Sequence, residues 1–533
     1  MKRAYWQTKH KKVAKKCMVF QLCGDRVHVK RSHRSDLDRH LGGVFFKNRH
    51  ATLTLLQYKR LAALWAGEER VELVPERVWK LAFKVHAPEP VQWERLSKRI
   101  RDALFPFQKE GVEKCLQFGT RALLADEMGL GKTLQAIAVM SYCRELWPLL
   151  VVCPSYLRLN WAREFQQWMP GVKTYVVKKS KDALKEEVGE AEVVIVSYDL
   201  MPRLQWKRKF QCLICDESHY IKNKKAKRTK ALVPLAQKAK RVLLLSGTPL
   251  SNRPVEAFTQ VQCLRPKYFG NYGQFVRRYC GAKYDIFGFN VSGASNVEEL
   301  GFLLRRTLMV RRLKRNVLTQ LPQKMRSEVP VEVPPKMLRE ASKGLARLKE
   351  IGRAMGVAQE GSTEANKLIF EQKKLISELF RANAVAKQGV AAELLLATLE
   401  QVESVVVFAK HMCMLDFLQD KLQCTHMRID GSVSQDAREK HVQAFQEGKC
   451  RVALLSIGAA STGITLTRAS CMLFVELDWN PATLRQAEDR IHRIGQSKAC
   501  DIRYVIATGT IDEMIYRKIT YKAEVIGRVL GDL

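Results

Sequence analysis

No stretch of this 533-residue chain approaches the roughly 18 to 20 uninterrupted apolar residues of a membrane span, so no membrane partner is expected. The N-terminus, "MKRAYWQTKHKKVAKK", lacks an apolar core and does not read as a secretory signal. There is no internal repeat and no low-complexity tract, which argues against a solenoid or a linker-like array. The 14 cysteines form no frame. Several sit in apolar runs such as "VVCP" and "CLICDE", which suggests a reducing compartment. Cys212 and Cys215 make a C-x-x-C without a second pair and read as core packing. Cys17, Cys23, His28 and His33 are too irregularly spaced to make a zinc site. Acidic residues are the scarcest class relative to their opposites: 54 Asp and Glu face 91 Lys and Arg, a formal net charge of +37. Such a surface is the footprint of a polyanion binder, most often nucleic acid; a merely basic soluble protein is the bland alternative. A hydrophobic share of 46% rules out wholesale disorder.

What is present is a series of short, nearly continuous apolar runs. "RALLA" (121–125), "LLVVC" (149–153), "EVVIVS" (192–197), "QCLICD" (211–216) and "RVLLLS" (241–246) form one set. "SVVVFA" (404–409), "HMRID" (426–430), "RVALLS" (451–456), "CMLFVE" (471–476) and "IRYVIA" (502–507) form another. Runs without polar alternation are those of parallel strands covered on both faces. The fold class is therefore α/β: two parallel-sheet lobes, over 96–255 and 387–533, with crossover helices. Between them, over 256–386, strand runs vanish and a helical insertion and linker is expected. Leu338, Ala341, Leu345, Leu348, Ile351 and Met355 mark one helical face, and Leu368, Leu375 and Leu379 a second. "LPQKMRSEVPVEVPP" (321–335) reads as a linker or brace. Residues 1–95 are a basic region with room for a small DNA-binding module.

The chemistry starts at "LLADEMGLGKTLQAI" (123–137). It ends like a phosphate loop, but the first glycine of G-x-x-x-x-G-K-[ST] is replaced by Asp126. Gly129 and Gly131 let the main chain approach phosphate, Lys132 meets the β/γ-phosphates, and Thr133 supplies a hydroxyl for Mg²⁺. The helix behind adds its positive end. Asp126, Glu127, Met128, Gly129, Leu130, Gly131, Lys132 and Thr133 form the expected loop. "CLICDESHYIKN" then places Asp216 and Glu217 at a strand tip. Asp216 would hold Mg²⁺, and Glu217 would orient and deprotonate water. "QAEDRIHRIGQ" offers Arg490 and Arg493 at i and i+3, read as one helical face, to stabilise charge on the γ-phosphate. These arginines lie in the second lobe and the loop in the first, so hydrolysis would need lobe closure.

Taken in order, "FPFQ", "DEMGLGKT", "DESH", "LLLSGTPLSN", "RIDGS", "SIGAASTGITLT" and "ELDWNPATLRQAEDRIHRIGQ" resemble the motifs of superfamily 2 helicases, and most closely those of the Swi/Snf-related ATPases. The resemblance runs from about Leu104 to Lys522. This family carries aspartate at the place of the missing glycine. "DESH", "GAASTGITLT" and "YKAEVIGRVLG" are similar to the branch of annealing helicases and fork-remodelling translocases. "LGGVFFKNRHATLTLLQYKRLAALW" (41–65) is similar at a few positions to the HARP-type module of that branch. The resemblance implies ATP and Mg²⁺ as cofactors, with Gln108 reading adenine and Ser246, Gly247 and Thr248 coupling nucleotide state to lobe movement. It places Pro154, Ser155, Asp430, Gly431, Ser461, Thr462 and Trp479 along the DNA path. Duplex, forked or bubbled DNA, bound largely without sequence preference, is the expected partner, with single-strand-binding or replication proteins as candidate associates. "KHKKVAKK" (9–16) reads as a nuclear localisation signal, a DNA anchor or a solvated charge run, and the expected setting is nuclear. With so few residues after the second lobe, no nuclease, zinc finger or histone reader is expected there. Alternatives carried forward are a nucleosome remodeller, an RNA helicase and a non-hydrolysing DNA-binding scaffold.

Overall fold

All ten apolar runs marked in the sequence are strands, arranged in two parallel sheets. The computed structural model describes residues 18–23, 26–31, 50–65, 68, 71–83, 90–285, 288–318, 320–358 and 362–532. The first sheet runs in the order Met309–Val310, Arg121–Leu124, Arg241–Leu245, Cys212–Cys215, Leu149–Cys153, Val193–Ser197, Thr174–Val176. The second runs Lys324–Val331, Cys500–Ala507, Cys471–Phe474, Val405–Ala409, Val452–Ser456, His426–Ile429. Every pairing in both is parallel. The central strands of the first lobe are buried along their whole length, as helices on both faces require. Cys212 and Cys215 are part of that core. These are two RecA-like lobes.

The stretch 256–386 is not free of strands, contrary to the sequence reading. Met309–Val310 closes one edge of the first sheet, and Lys324–Val331 pairs with Cys500–Ala507 over eight registered positions in the second. The expected linker "LPQKMRSEVPVEVPP" is therefore largely an edge strand. An edge strand faces one neighbour and leaves polar residues outward, and it tolerates a proline such as Pro330, so its pattern is not that of a buried run. The two expected helices are Pro335–Val357 and Thr363–Ala386, joined across their contact by Arg347 and Glu371 at 2.8 Å.

The last helix, Ile511–Leu530, ties the lobes together. Ile511, Ile515 and Ile519 belong to the core of the second lobe, while Val525, Ile526, Val529 and Leu530 are buried in that of the first. Beyond it, Asp532 makes a two-point ion pair with Arg311, at 2.6 and 2.7 Å.

The N-terminal region holds a four-stranded sheet, His50–Thr54, Arg26–Arg31, Met18–Cys23, Val71–Glu72. Met18, Phe20 and Leu22 alternate into a core with Tyr58 and Trp65. A buried charge cluster fastens it to the first lobe. Arg278 donates to Glu72 (2.6 Å), Glu299 (2.7 Å) and the Phe20 carbonyl (2.7 Å), and the Leu22 N–H donates to Glu299. Of the stretch similar to a HARP-type module, 50–65 forms the strand His50–Thr54 and helix Leu55–Leu64; 41–49, like the basic run 9–16 and Cys17 and His33, lies outside the described residues.

Candidate active site

In a parallel sheet the loops that follow neighbouring strands gather along one edge. Here that edge collects the phosphate loop after Leu124, Asp216-Glu217 after Cys215, and Ser246-Gly247-Thr248 after Leu245. Between it and the second lobe lies a cavity of about 950 Å³, within the range of small-molecule sites. Gln108, Met128, Gly129, Gly131, Lys132, Thr133, Asp216 and Glu217 line it from the first lobe, and Asp489, Arg490 and Arg493 from the second.

The loop keeps the shape that phosphate binding needs. Gly129 and Gly131 take left-handed backbone conformations, φ 83° and 69°, which a side chain would strain. A Cβ on Gly131 would also lie 2.3 Å from Gln108 Nε2. Gln108 Nε2 donates to the Leu130 carbonyl at 3.1 Å, which holds this amide beside the loop. Helix Lys132–Tyr142 begins directly behind, presenting unpaired N–H groups. Lys132 Nζ donates to the carbonyls of Asp126 (2.9 Å) and Glu127 (3.2 Å). Burial pushes its pKa down, against the pull of Glu217, Asp126 and Asp216.

Three expected loop ligands do not reach the cavity. Asp126 is fully buried beneath the loop. Its carboxylate accepts from the Arg312 main-chain N–H and Nε (both 3.0 Å), from a second guanidinium nitrogen, and from Gln135 Nε2 at 3.1 Å. Its φ is not positive, so the first glycine of the usual pattern is not required; this position anchors the loop instead of turning it. Glu127 faces the other way and accepts from the Lys314 N–H at 2.7 Å. Leu130 is core.

The carboxylates are held differently from one another. Asp216 Oδ2 accepts from Trp161 Nε1 and Oδ1 from the Glu217 N–H, both at 2.9 Å. Burial, with the Glu217 carboxylate beside it, pushes the Asp216 pKa up to about 6. Glu217 takes a left-handed backbone conformation, φ 50°, a strain of about 1–3 kcal/mol that persists only when its surroundings enforce it. Burial raises its pKa, but His219, Lys132 and Arg490 outweigh that and hold it below the ordinary value. His219 Nδ1 lies 3.2 Å from both Glu217 Oε2 and Ser246 Oγ. Ser246 Oγ accepts from the Thr248 N–H, and Thr248 Oγ1 accepts from Gln486 Nε2 across the lobe boundary, each at 3.2 Å. Two of the three expected coupling residues, Ser246 and Thr248, thus lie on a chain of close polar contacts from Glu217 to the second lobe, with Gly247 between them in sequence.

Arg490 and Arg493 do not share a helical face. Helix Pro481–Glu488 ends before them, and the chain turns. The Leu466 N–H donates to the Arg490 carbonyl at 2.9 Å, and Gln496 Nε2 bonds the carbonyls of Thr467, Ala469 and Ile491. Past Glu488 the main chain keeps one more turn, the Ile491 and His492 N–H groups both donating to the Glu488 carbonyl at 3.2 Å, and bonds to a neighbouring segment then take over. Both arginines still line the cavity, Arg493 donating to Thr465 Oγ1 at 2.8 Å.

The expected DNA contacts scatter. Trp479 lines a second interlobe cleft of about 530 Å³ with Lys222, Lys224, Lys225, Arg253, Tyr272 and Lys522, and Lys518 lies 5.5 Å from its ring centroid. Pro154, Ser155, Asp430 and Gly431 are not in that cleft. The Asp430 carboxylate is occupied by Ser432 and Arg428, a local turn that exposes Gly431. Ser461 and Thr462 lie on the 3-10 turn Ile457–Thr462, with side chains outside the described residues. Sequence reading missed Trp161, Arg312, Lys314 and Gln486. His219 sat in the quoted "DESH" box, but nothing local singled it out.

A phosphate loop and a carboxylate pair in one parallel-sheet lobe, faced by two arginines from another, are the architecture of helicase-like ATPases. Residues 107–339 match the SNF2-related domain, and residues 386–495 the helicase conserved C-terminal domain. The chain is 39% identical to the Xenopus tropicalis SWI/SNF-related matrix-associated actin-dependent regulator of chromatin subfamily A-like protein 1, covering 90% of this chain and 52% of that one. It is 37% identical to the Caenorhabditis elegans homolog of that protein, covering 87% and 67%. It is 38% identical to the Mus musculus DNA annealing helicase and endonuclease ZRANB3, covering 83% and 42%. The chain belongs to the SNF2 family of helicase-like ATPases and is related to its annealing-helicase subgroup. It spans about half the length of the first of these relatives.

Proposed function

We propose that this chain is a DNA-dependent ATPase that moves along double-stranded DNA and reanneals or remodels branched and bubbled DNA. The observation that carries the reading is one catalytic set divided between two lobes: Lys132, Thr133, Asp216 and Glu217 on one wall, Arg490 and Arg493 on the other. The donor set suits a magnesium nucleotide, with a hydroxyl, two carboxylates, an ammonium and two guanidiniums around one cavity. Thr133 and Asp216 would hold Mg²⁺, which when bound neutralises phosphate charge. Lys132 exchanges the carbonyls of Asp126 and Glu127 for phosphate oxygens, and Gln108 meets the base. Glu217, kept anionic by its cationic neighbours, orients water and takes its proton. Arg490 and Arg493 meet the charge that develops on the γ-phosphate, worth about 10³ to 10⁵ in rate for an arginine finger. Because the two walls belong to different lobes, turnover requires them to close, and closure is the mechanical step.

DNA as the track is supported by the +37 charge and by the basic cleft around Trp479. Closing a bubble is downhill once strands are aligned, by about 1.4 kcal/mol per base-pair step, so a duplex-tracking motor needs only to draw two backbones together. A nuclear setting is part of the reading, motivated by the basic run 9–16; cytoplasmic retention of a tagged chain would count against it. The test of function compares ATP-dependent closure of a protein-coated bubble with sliding of a centred nucleosome, for wild type and Arg490→Ala. Efficient sliding with bubbles and forks unchanged favours the nucleosome remodeller. Closure by Arg490→Ala as fast as by wild type makes closure passive binding.

A further inference from the structure

Lys314 belongs to none of the sequence motifs. It follows strand Met309–Val310, where the chain leaves the first lobe, and it is 2% exposed. Its main chain holds the phosphate loop: the Lys314 N–H donates to Glu127 Oε2 at 2.7 Å, and the Glu127 carbonyl accepts from Lys132 Nζ. Its side chain crosses to the second lobe. Nζ donates to Asp489 Oδ1 at 2.8 Å and to the His492 carbonyl at 2.6 Å. Asp489 immediately precedes Arg490, and His492 immediately precedes Arg493.

We infer that Lys314 is a positioning residue for hydrolysis, fixing the arginine-bearing turn against the phosphate loop so that a shift of Glu127 is passed to Arg490 and Arg493. The inference rests on the ATPase reading above. The turn leans on such outside contacts, because the helix end supplies it with one last turn of main-chain bonds, from the Arg490 N–H to Ala487 and from the Ile491 and His492 N–H groups to Glu488, and its His492 carbonyl is held from the first lobe. Without the Lys314 ammonium, the His492 carbonyl loses this donor, and among the described residues Asp489 keeps the Lys324 cation at 3.4 Å. A displacement of about 1 Å in a group that stabilises a transition state costs on the order of 10²-fold in rate. Nucleotide affinity comes from Gln108, Lys132 and the loop amides, whereas the hydrogen bonds of the Lys314 ammonium go to Asp489 and His492. The two effects therefore separate, with kcat falling and KM holding. A lysine that served only to join the lobes would lower thermal stability and show no such split.

The experiment uses the full chain with Lys314→Met, Lys314→Arg and Asp489→Asn, alone and combined with Arg490→Ala. DNA-stimulated kcat, KM for ATP and affinity for a fluorescent ATP analogue are measured for each. Expected for Lys314→Met are a kcat loss of about 10²-fold, KM and analogue affinity within about threefold of wild type, and recovery of most of the loss in Lys314→Arg. Adding Lys314→Met to Arg490→Ala should slow turnover by clearly less than Lys314→Met slows the wild type, since one of the two groups it positions is already gone. Losses that multiply in the double variant, or analogue affinity falling in step with kcat, overturn the assignment. If Lys314→Met does not fold, Asp489→Asn in the same cycle decides. Absence of DNA-stimulated turnover in wild type defeats the ATPase reading alone. The link through Lys314 is then judged by fluorophores on the two lobes: an analogue-induced distance change present in wild type and equally present in Lys314→Met refutes it.

Discussion

The replacement of a phosphate loop's first glycine by Asp126 illustrates how one side chain can exchange one solution for another. A glycine there would permit a turn; the aspartate anchors the loop to Arg312 and Gln135. Restoring the glycine should therefore weaken the protein. Asp126→Gly leaves a buried guanidinium without its carboxylate, and we expect a loss of about 3 to 5 kcal/mol in urea unfolding; unchanged stability would contradict the anchoring role. At the catalytic pair, Glu217→Gln should bind ATP and fail to turn it over, because the carboxylate moves a proton. Lys132→Ala should lose nucleotide affinity, because the ammonium neutralises phosphate. Nucleotide-binding titrations beside single-turnover assays separate the two, and near-normal hydrolysis by Glu217→Gln would refute its assignment as base. The residue types that line the cavity were legible from their order along the chain. Their supports, Trp161 on Asp216 and His219 on Glu217, were not, since no local pattern announces a partner reached through the fold.

Among the elements, strand Lys324–Val331 holds the end of the helix from which the arginine turn leaves. Lys324 and Arg326 both pair with the buried Glu488, at 2.9 and 2.6 Å, and Tyr504 donates to the same carboxylate at 2.6 Å. Burial pushes the Glu488 pKa up, but Lys324, Arg326 and Tyr504 outweigh it and hold it far below the ordinary value. The sign follows directly. The folded carboxyl takes up its proton only in stronger acid than the unfolded one, so the cluster's stabilisation is present above the unfolded pKa and lost as pH falls toward the folded one. Urea unfolding between about pH 5 and 3 should therefore show a steeper loss for wild type than for Glu488→Gln; parallel profiles would exclude the cluster as the source. The strand itself escaped sequence reading because an edge position leaves its polar residues exposed.

For the whole molecule, the charge of +37 makes a quantitative demand. If about 6 to 10 phosphates are neutralised, raising salt from 50 to 200 mM should cost on the order of 10³ to 10⁵ in DNA affinity. Shuffling the DNA sequence should matter little. Fluorescence anisotropy with a labelled duplex at several salt concentrations measures both, and a flat response would assign the charge to something else. The same scale governs the N-terminal sheet, which the Arg278 cluster joins to the first lobe through buried ion pairs. Arg278→Met leaves Glu299 buried without its cation, and limited proteolysis should then cut this region faster than in wild type.

The sequence by itself determined the ten strands first marked, the two long helices of the insertion and the residue types gathered around the interlobe cavity. Each is written in neighbouring residues: continuous apolar runs for covered strands, three-and-four spacing for helices, and glycine, lysine and threonine in a row for a phosphate loop. Only the tertiary structure decided which of those residues face the cavity. Asp126 turns away because Arg312, 186 residues further on, claims its carboxylate. Arg490 and Arg493 leave the helix because a neighbouring segment takes over the bonds at their turn. Lys314 reaches both lobes because its backbone belongs to one and its ammonium to the other. Such choices depend on partners far apart in the chain, whose competition for a buried charge is settled only when folding brings them within hydrogen-bond distance.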